Sequence, residues 1–477
     1  MKKIKSSQLA NEELNYEYKK AKGKLPSSFW ETYSAFANSS GGYIYLGIEE
    51  LNGNKYKPVG LTSEEINKLK TEIFNLANNK QKVSVNLLSD DDIKEILVDD
   101  CSALQIYVKK CPIELKPVYI NSNVYQGTFR RTWDGDYRCS VEEVNAMIRD
   151  SSSKALDIAL LEEHTLSSLD QESINAYKNI FASLHPTHPF LKESNERFLE
   201  FIGAARLNGD NVYKATRAGL LMFGYSYRIV YEYENYFLDY TEVDDDPSKR
   251  WKNRLESTSG NWPGNIFTFF MKVSALLLEK IKIPYATNGI FRVDDNEIAK
   301  AIREGLCNCL CNADYYLSTG VSVKHYGDHI DFINPGTLMM DVDSMLRGGV
   351  SLPRNKTLLK MFNLINIGER SGSGIPLIFM SAKENKLPAP TIFEEYKPDR
   401  TTLRMYFKEK NKSIETNIFE KDIITFLINN GPSSAKRISE YFNKNITTTK
   451  LTLYSLVDKG LVKTEGTIKN KKYFVKE

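Results

Sequence analysis

The sequence predicts an α+β multidomain protein, and three observations carry that prediction. Its 477 residues exceed what a single hydrophobic core usually organises. Up to residue 405, the period-two alternation of strands is interspersed with the wider spacing of amphipathic helices. From residue 416 the pattern changes to three helical segments and two short strands. A hydrophobic share of 41% with 26% charged residues belongs to a packed chain and excludes a disordered or fibrous class.

Residues 1–150 form the first expected domain. Leu14–Lys19 alternates as a half-buried strand, with Glu17 and Lys19 predicted on its wet face. Lys24–Ser28 supplies a loop and cap, and Phe29–Asn38 has helical spacing that Ser39-Ser40-Gly41-Gly42 breaks. Tyr43–Ile48 is a strong strand ending on Glu49-Glu50, with further strands expected at Ala103–Val108 and Val118–Ile120. Ser140–Asp150 closes the domain as a helix, and Ser151-Ser152-Ser153 marks the boundary.

A second domain is expected over 151–410. Ala218–Gly224 and Tyr236–Thr241 read as strands, followed by long helices near 264–281 and 296–313. Strands near 319–325 and 329–333 and a helix near 356–365 follow. The charged stretch Lys408–Glu415 reads as a linker. The tail, 416–477, has helices near 418–429, 434–442 and 446–459, then strands Leu461–Glu465 and Lys472–Val475 about Gly466. That order is a winged helix-turn-helix.

Several function classes drop out. The start, Met1-Lys2-Lys3-Ile4-Lys5, leads into polar residues without a secretory apolar region, and no apolar run approaches a membrane span. A cytoplasmic chain with reduced thiols is expected, because six cysteines in this length make no disulfide framework. Cys307, Cys309 and Cys311 recur every second residue on a predicted helix, a spacing that suits burial better than zinc. His185 and His188 lack a metalloprotease pattern, and His325 and His329 flank a turn near Gly327. Neither a phosphate-binding P-loop nor a hydrolase nucleophile elbow is present. A net charge of +3 requires any nucleic-acid affinity to come from local patches.

Such patches exist. Arg130, Arg131 and Arg138 stand among Trp133 and Tyr137, a mixture suited to phosphate contact and base stacking, although a solvated hairpin would carry the same residues. From 431 to 477 the tail holds ten Lys/Arg against four Asp/Glu. Lys450 falls in its recognition helix, and Lys469, Lys471 and Lys472 fall on its wing. These would give salt-sensitive phosphate affinity, and a winged helix used for protein contact is the alternative.

Spacing alone does not bring Glu12, Glu17 and Glu50 together. However, Glu12-Glu13-Leu14-Asn15-Tyr16-Glu17-Tyr18-Lys19 resembles the opening motif of Schlafen AlbA-type domains. Ser34–Glu50, with Ala35-Phe36-Ala37-Asn38 and Gly41-Gly42, resembles their glycine–strand–acid core. The resemblance implies an acidic triad of Glu12, Glu17 and Glu50 that holds Mg²⁺ or Mn²⁺ and cleaves RNA, transfer RNA in particular, with Lys19 and Lys20 close to phosphate. Glu50 stands where the family usually has the shorter Asp.

The middle region resembles the ATPase-like (GHKL-like α/β sandwich) domain of RecG-related proteins and predicted transcriptional regulators. Ala301–Tyr315, Asn334-Pro335-Gly336, Pro353-Arg354-Asn355 and Glu369–Ile375 carry the resemblance. It implies ATP bound near Glu304, Asn308, Asn312, Asn334, Gly336, Gly372 and Gly374. Glu304, Asn308 and Asn312 are spaced i, i+4, i+8 and so share one helical face. Two functions follow as expectations. One is a metal-dependent endoribonuclease, in a setting such as phage defence; the other is a DNA-binding regulator with a nucleotide-sensing domain. A homo-oligomer and no membrane partner are expected of either.

Overall fold

The computed structural model describes residues 2–475 apart from 7, 8, 10–14, 52–54, 133, 134, 153, 154, 245, 247, 281–285, 289, 290, 294–296, 369–371, 409–417, 443, 459, 460 and 466–470. The chain divides into two compact units, Met1–Phe407 and Lys408–Glu477.

The first part of the larger unit runs β1 (Lys2–Ile4), β2 (Tyr16–Lys19), α1 (Phe29–Asn38), β3 (Gly42–Leu46), β4 (Ile48–Leu51), β5 (Lys55–Pro58), α2 (Ser63–Ala77), β6 (Ile93–Val98), β7 (Cys101–Val108), β8 (Phe129–Thr132), β9 (Gly135–Arg138) and α3 (Val141–Asp150). Five strands pair in the order β1-β6-β7-β3-β2, while β4–β5 and β8–β9 form separate hairpins. Helix α1 is buried nearly all round, and Phe29, Tyr33 and Phe36 are fully buried. Such a helix must be covered on several sides; Phe29, Tyr33 and Phe36 share a core with sheet residues Ile44 and Ile106 and with Phe129 of β8. The opposite face of the sheet carries a smaller cluster with Tyr18, Tyr45 and Ile96.

The larger unit continues with β10 (Leu160–Thr165), α4 (Gln171–Leu184), α5 (Asn195–Ile202), β11 (Ala205–Leu207), β12 (Tyr213–Thr216), α6 (Arg217–Phe223), α7 (Ser226–Glu232), β13 (Leu238–Glu242), β14 (Asn253–Glu256), α8 (Ile266–Lys280), β15 (Ala286–Asn288) and β16 (Phe291–Val293). It ends with α9 (Glu297–Asn312), β17 (Val321–His325), β18 (His329–Pro335), α10 (Val342–Arg347), α11 (Lys356–Leu364), α12 (Gly374–Glu384), β19 (Thr391–Glu395) and β20 (Arg400–Tyr406). A six-stranded sheet, β14-β13-β17-β18-β20-β19, carries this part. Its core joins Phe332 and Leu403 of the sheet to Leu306 and Leu310 of α9 and Phe270 of α8. Gly305 permits the approach of α9, since a Cβ there would lie 3.0 Å from both Met405 Sδ and the Phe332 ring.

The stretch Ala218–Phe223 is helical, against the strand expected from its composition. Thr216 caps it by accepting from Gly219 N at 3.0 Å, and all six residues are buried. A short apolar run buried all round has no periodicity to separate strand from helix. Among the described residues, no helix is long and apolar enough to cross a membrane.

The smaller unit contains α13 (Ile418–Asn430), α14 (Ala435–Tyr441), α15 (Ile446–Asp458), β21 (Val462–Glu465) and β22 (Lys472–Val475). Ile423, Ile438, Leu453 and Leu456 make its core. Altogether the protein is a mixed α/β multidomain chain with several sheets.

Candidate functional site

Helix α9 sets one wall of an open cavity. Its periodicity turns Glu304, Asn308 and Asn312 to the same side, and all three line the cavity with Asn334 of β18 and with Gly372 and Gly374 at the start of α12. The helix braces its own polar stripe: Asn308 Nδ2 donates to Glu304 Oε1 at 3.0 Å and Asn312 Nδ2 to Asn308 O at 2.9 Å. Met339, Met345, Ile375 and Leu403 provide an apolar wall. Gly374 is required by closeness, because a Cβ there would sit 1.9 Å from Glu304 Oε1.

Six of the seven residues expected at a nucleotide therefore line one cavity. Gly336 is not among them. It adopts φ +97°, and a Cβ would lie 2.6 Å from Arg354 Nη1, so its glycine serves the packing of Arg354. Glu369, Arg370 and Ser371 lie outside the described residues. Cys309 lines the cavity, while Cys307 and Cys311 are buried with their sulfurs 3.9 Å apart.

The polar stripe fits a nucleotide in chemistry. Asn308, Asn312 and Glu304 offer oxygens and amides of the kind that hold a hydrated Mg²⁺ and phosphates, and a helix N-terminus such as that of α12, beside the Glu304 carboxylate, is a type of site that accepts an anion. The methionine-rich wall suits the flat apolar face of a base.

The N-terminal acids have a different fate. Glu17 lies on β2 turned towards α1, and its side chain is 13% exposed; that of Lys19 is 10% exposed. The sequence placed both on a wet face; instead Tyr18, one residue between, stacks on Tyr45 on the other side of the sheet. The reason is the lid of α1 and β8, which buries this face and leaves its charges to pair. Lys19 Nζ reaches Glu17 Oε1 at 2.6 Å and donates to Ser28 Oγ at 3.0 Å. Arg131 Nη1 donates to Glu17 Oε2 at 2.8 Å and to Asp136 Oδ1 at 3.1 Å, and Arg131 Nη2 to Tyr16 O at 3.0 Å. Thr32 completes the network, donating to Asp136 Oδ2 at 2.5 Å.

Glu50 is exposed on the β4–β5 hairpin, opposite Tyr56. Glu12 lies outside the described residues. Among the described residues no three His, Cys, Asp or Glu side chains come together as a metal centre. Lys20 is exposed and pairs with Glu49 at 2.9 Å.

Arg130 and Arg131, expected at a phosphate-contacting surface, are buried at 4% and 1% exposure. Arg130 Nη1 reaches Asp399 Oδ2 at 2.5 Å and Glu143 Oε1 at 3.4 Å. A charge taken out of water must find a counter-charge, and both arginines have found theirs inside the protein. Arg138 stays exposed, donating to Gln126 Oε1 at 2.8 Å. Sequence reading missed Asp136, although the Gly135 turn registers it opposite Arg131 and so signals the pair. Asp399 left no such signal, since it is distant in sequence.

In the smaller unit, Lys450 is exposed on α15, and Lys472 is exposed on β22 opposite Glu465. Lys471 Nζ lies 5.5 Å from the ring centres of both Tyr454 and Tyr473. Leu451 and Tyr454, on α15 as well, are 64% and 50% exposed.

Comparison with known proteins fits this division. Residues 12–140 match the family described as Schlafen, AlbA_2. Residues 318–405 match the family described as putative ATP-dependent DNA helicase recG C-terminal, and 145–239 match a domain of unknown function, DUF8451. No curated protein matches. Among solved structures, the DIP2311 protein from Corynebacterium diphtheriae is 15% identical, with 97% of this chain and 92% of that one covered and a TM-score of 0.42. The N-terminal domain of a putative ATP-dependent DNA helicase RecG-related protein from Nitrosomonas europaea is 27% identical, over 27% of this chain and 84% of that one, with a TM-score of 0.21. The chain thus joins a Schlafen AlbA_2 domain at 12–140 to a recG C-terminal-type domain at 318–405.

Proposed function

We propose that this protein is a nucleotide-responsive nucleic-acid-binding protein. The cavity beside α9 is the nucleotide site, and the AlbA_2 domain with the winged-helix-like tail contacts the nucleic acid. The observation that carries the reading is the convergence of Glu304, Asn308, Asn312, Asn334, Gly372 and Gly374 on one cavity. Asn308 and Asn312 would hold Mg²⁺ and phosphate oxygens, and the N-terminal turn of α12 the phosphates. ATP would supply binding energy that differs between two states of the protein. The names of both matched families point to nucleic acid as the partner.

Titration of the full chain with ATP and Mg²⁺ by calorimetry tests this directly. Wild type should bind, and Asn308→Ala should bind about tenfold more weakly, the loss of roughly 1.4 kcal/mol that one good polar contact supplies. Equal affinity for both, or no binding by wild type, would overturn it.

Endoribonuclease activity is the second reading, favoured by the family match over 12–140, which includes all three acids of the motif. Glu17 must then exchange at least one of its ion pairs for Mg²⁺ or Mn²⁺. Incubating total transfer RNA with either ion, with wild type and Glu17→Ala in parallel, decides it. Cleavage lost in the variant supports the activity, whereas no cleavage by wild type removes it.

A further inference from the structure

The AlbA_2 domain gathers three cations where it meets the turn between β19 and β20. Lys110 Nζ reaches Glu394 Oε2 at 2.8 Å, and Arg130 Nη1 reaches Asp399 Oδ2 at 2.5 Å. Lys116 lies fully inside at 7% exposure, its Nζ donating only a neutral contact, to Asn38 O at 2.8 Å. Among the described residues of its own domain this cluster pairs with one acid, Glu143, at 3.4 Å from Arg130. The remaining negative charge arrives from the other domain.

The arrangement is expensive as mere glue. Burial, with Lys110 and Arg130 adding to it, pushes the Lys116 amine down to about 7. Burial alone would raise the Glu394 carboxyl, yet the pull of Lys110 holds it below the usual range. A buried ion cluster rarely stabilises more than apolar packing of the same volume. Arg130 Nε, moreover, is buried with no hydrogen-bond partner. Its guanidinium therefore has a donor to spare, and the fork geometry of arginine matches a phosphate oxygen pair better than one carboxylate oxygen.

We infer that Lys110, Lys116 and Arg130 form a phosphodiester-binding pocket of the AlbA_2 domain, which Glu394 and Asp399 occupy as phosphate mimics in the closed state. The inference rests on the reading that this domain binds nucleic acid. Glu394 is tied to the cavity wall of the neighbouring domain, and Asp399 to the Gly336 turn beside it. Glu394 Oε1 accepts from Leu338 N at 2.7 Å, and the backbone oxygen of Asp399 accepts from Gly336 N at 3.0 Å. Leu338 itself lines the cavity. Tyr396, between the two acids, lies against the Arg130 guanidinium at 5.6 Å and shares a hydrogen bond with Ser40 Oγ at 3.3 Å.

The test uses full-length Glu394→Gln/Asp399→Asn against wild type, with labelled single-stranded RNA followed by anisotropy and inorganic tripolyphosphate followed by calorimetry. The double variant should bind both about tenfold more tightly, and adding Arg130→Gln to it should abolish the gain. A folded double variant, judged by circular dichroism and melting, that binds neither more tightly overturns the pocket. Tighter tripolyphosphate binding without RNA binding by either protein keeps the pocket and removes the nucleic-acid reading. RNA bound equally by both proteins does the reverse. Should the double variant fail to fold, Asp399→Asn alone leaves the Glu394 contacts in place. A gain of about threefold is expected from it, and no gain overturns the inference equally.

Discussion

Both domains of the larger unit announce chemistry in their sequences, yet they spend it differently. In the recG C-terminal-type domain the named polar residues converge on one open cavity. In the AlbA_2 domain Glu17 is paired with Lys19 and Arg131, and Arg130 with Asp399 of the neighbouring domain, while Glu50 and Arg138 stay exposed. The difference lies in geometry. A helix fixes i, i+4 and i+8 on one side by its pitch alone, so Glu304, Asn308 and Asn312 could face a ligand without further help. A motif running through strand, helix and turn fixes no such common direction, and its charges take whatever partners the lid of α1 and β8 provides.

The sharpest way to break that contrast is to remove the cation at the centre of the ion network. Arg131→Met would leave Asp136 without its cation and Glu17 with Lys19 alone, and losing one partner of a buried ionic group costs about 3–5 kcal/mol. Chemical unfolding should register a loss of that order. Arg131→Met/Asp136→Asn should recover a measurable part of it, because the carboxylate left without a cation is then removed. A loss below about 1 kcal/mol, the worth of an exposed pair, would mean that the network contributes little to folding and that Glu17 can exchange Arg131 for another cation at small cost.

Lys116 gives the next effect. Its folded pKa, about 7, lies below the ordinary value of 10.5, for the reason of burial first and then of Lys110 and Arg130; Glu394 and Cys111 pull the other way. A base depressed in the folded state is protonated in the unfolded chain and neutral in the folded one between those values. The unfolded state therefore binds more protons there, and stability rises with pH. From pH 7 to 9 the gain should be roughly 2 kcal/mol, and Lys116→Met should remove it. Denaturant midpoints at the two pH values measure it, and an identical pH slope in the variant would show that the amine keeps its charge.

How much of this could be read beforehand follows the same line. The strand–glycine–strand core, α9 and the three-helix tail were legible because each carries its own period or turn chemistry. Ala218–Phe223 was misread because burial on every side erases the period. Arg130 looked like a surface ligand because its partner, Asp399, is 269 residues away, and local composition holds no record of such a contact. Glu17 shares a face with Lys19 as its alternation predicts, but that face is covered and not wet, for a related reason. Alternation shows which residues share a face, and only the tertiary lid decides which face is wet.

A smaller effect sharpens the contrast from the third region, the tail. Lys450 is exposed on α15 and free to approach a phosphate, and one such contact contributes about one unit to the slope of log affinity against log salt. Lys450→Ala should weaken binding of full-length protein to duplex DNA about two- to threefold at moderate salt, with a shallower slope. Leu451→Ala, at the next residue of the same helix, carries no charge change, and it should leave that slope untouched. The opposite pattern would reassign the face. If Lys450→Ala binds like wild type while Leu451→Ala shifts the sedimentation of the protein, then the apolar Leu451 and Tyr454, 64% and 50% exposed, meet another protein surface rather than nucleic acid. Either result ties a charge to its use, which the net charge of the tail cannot do.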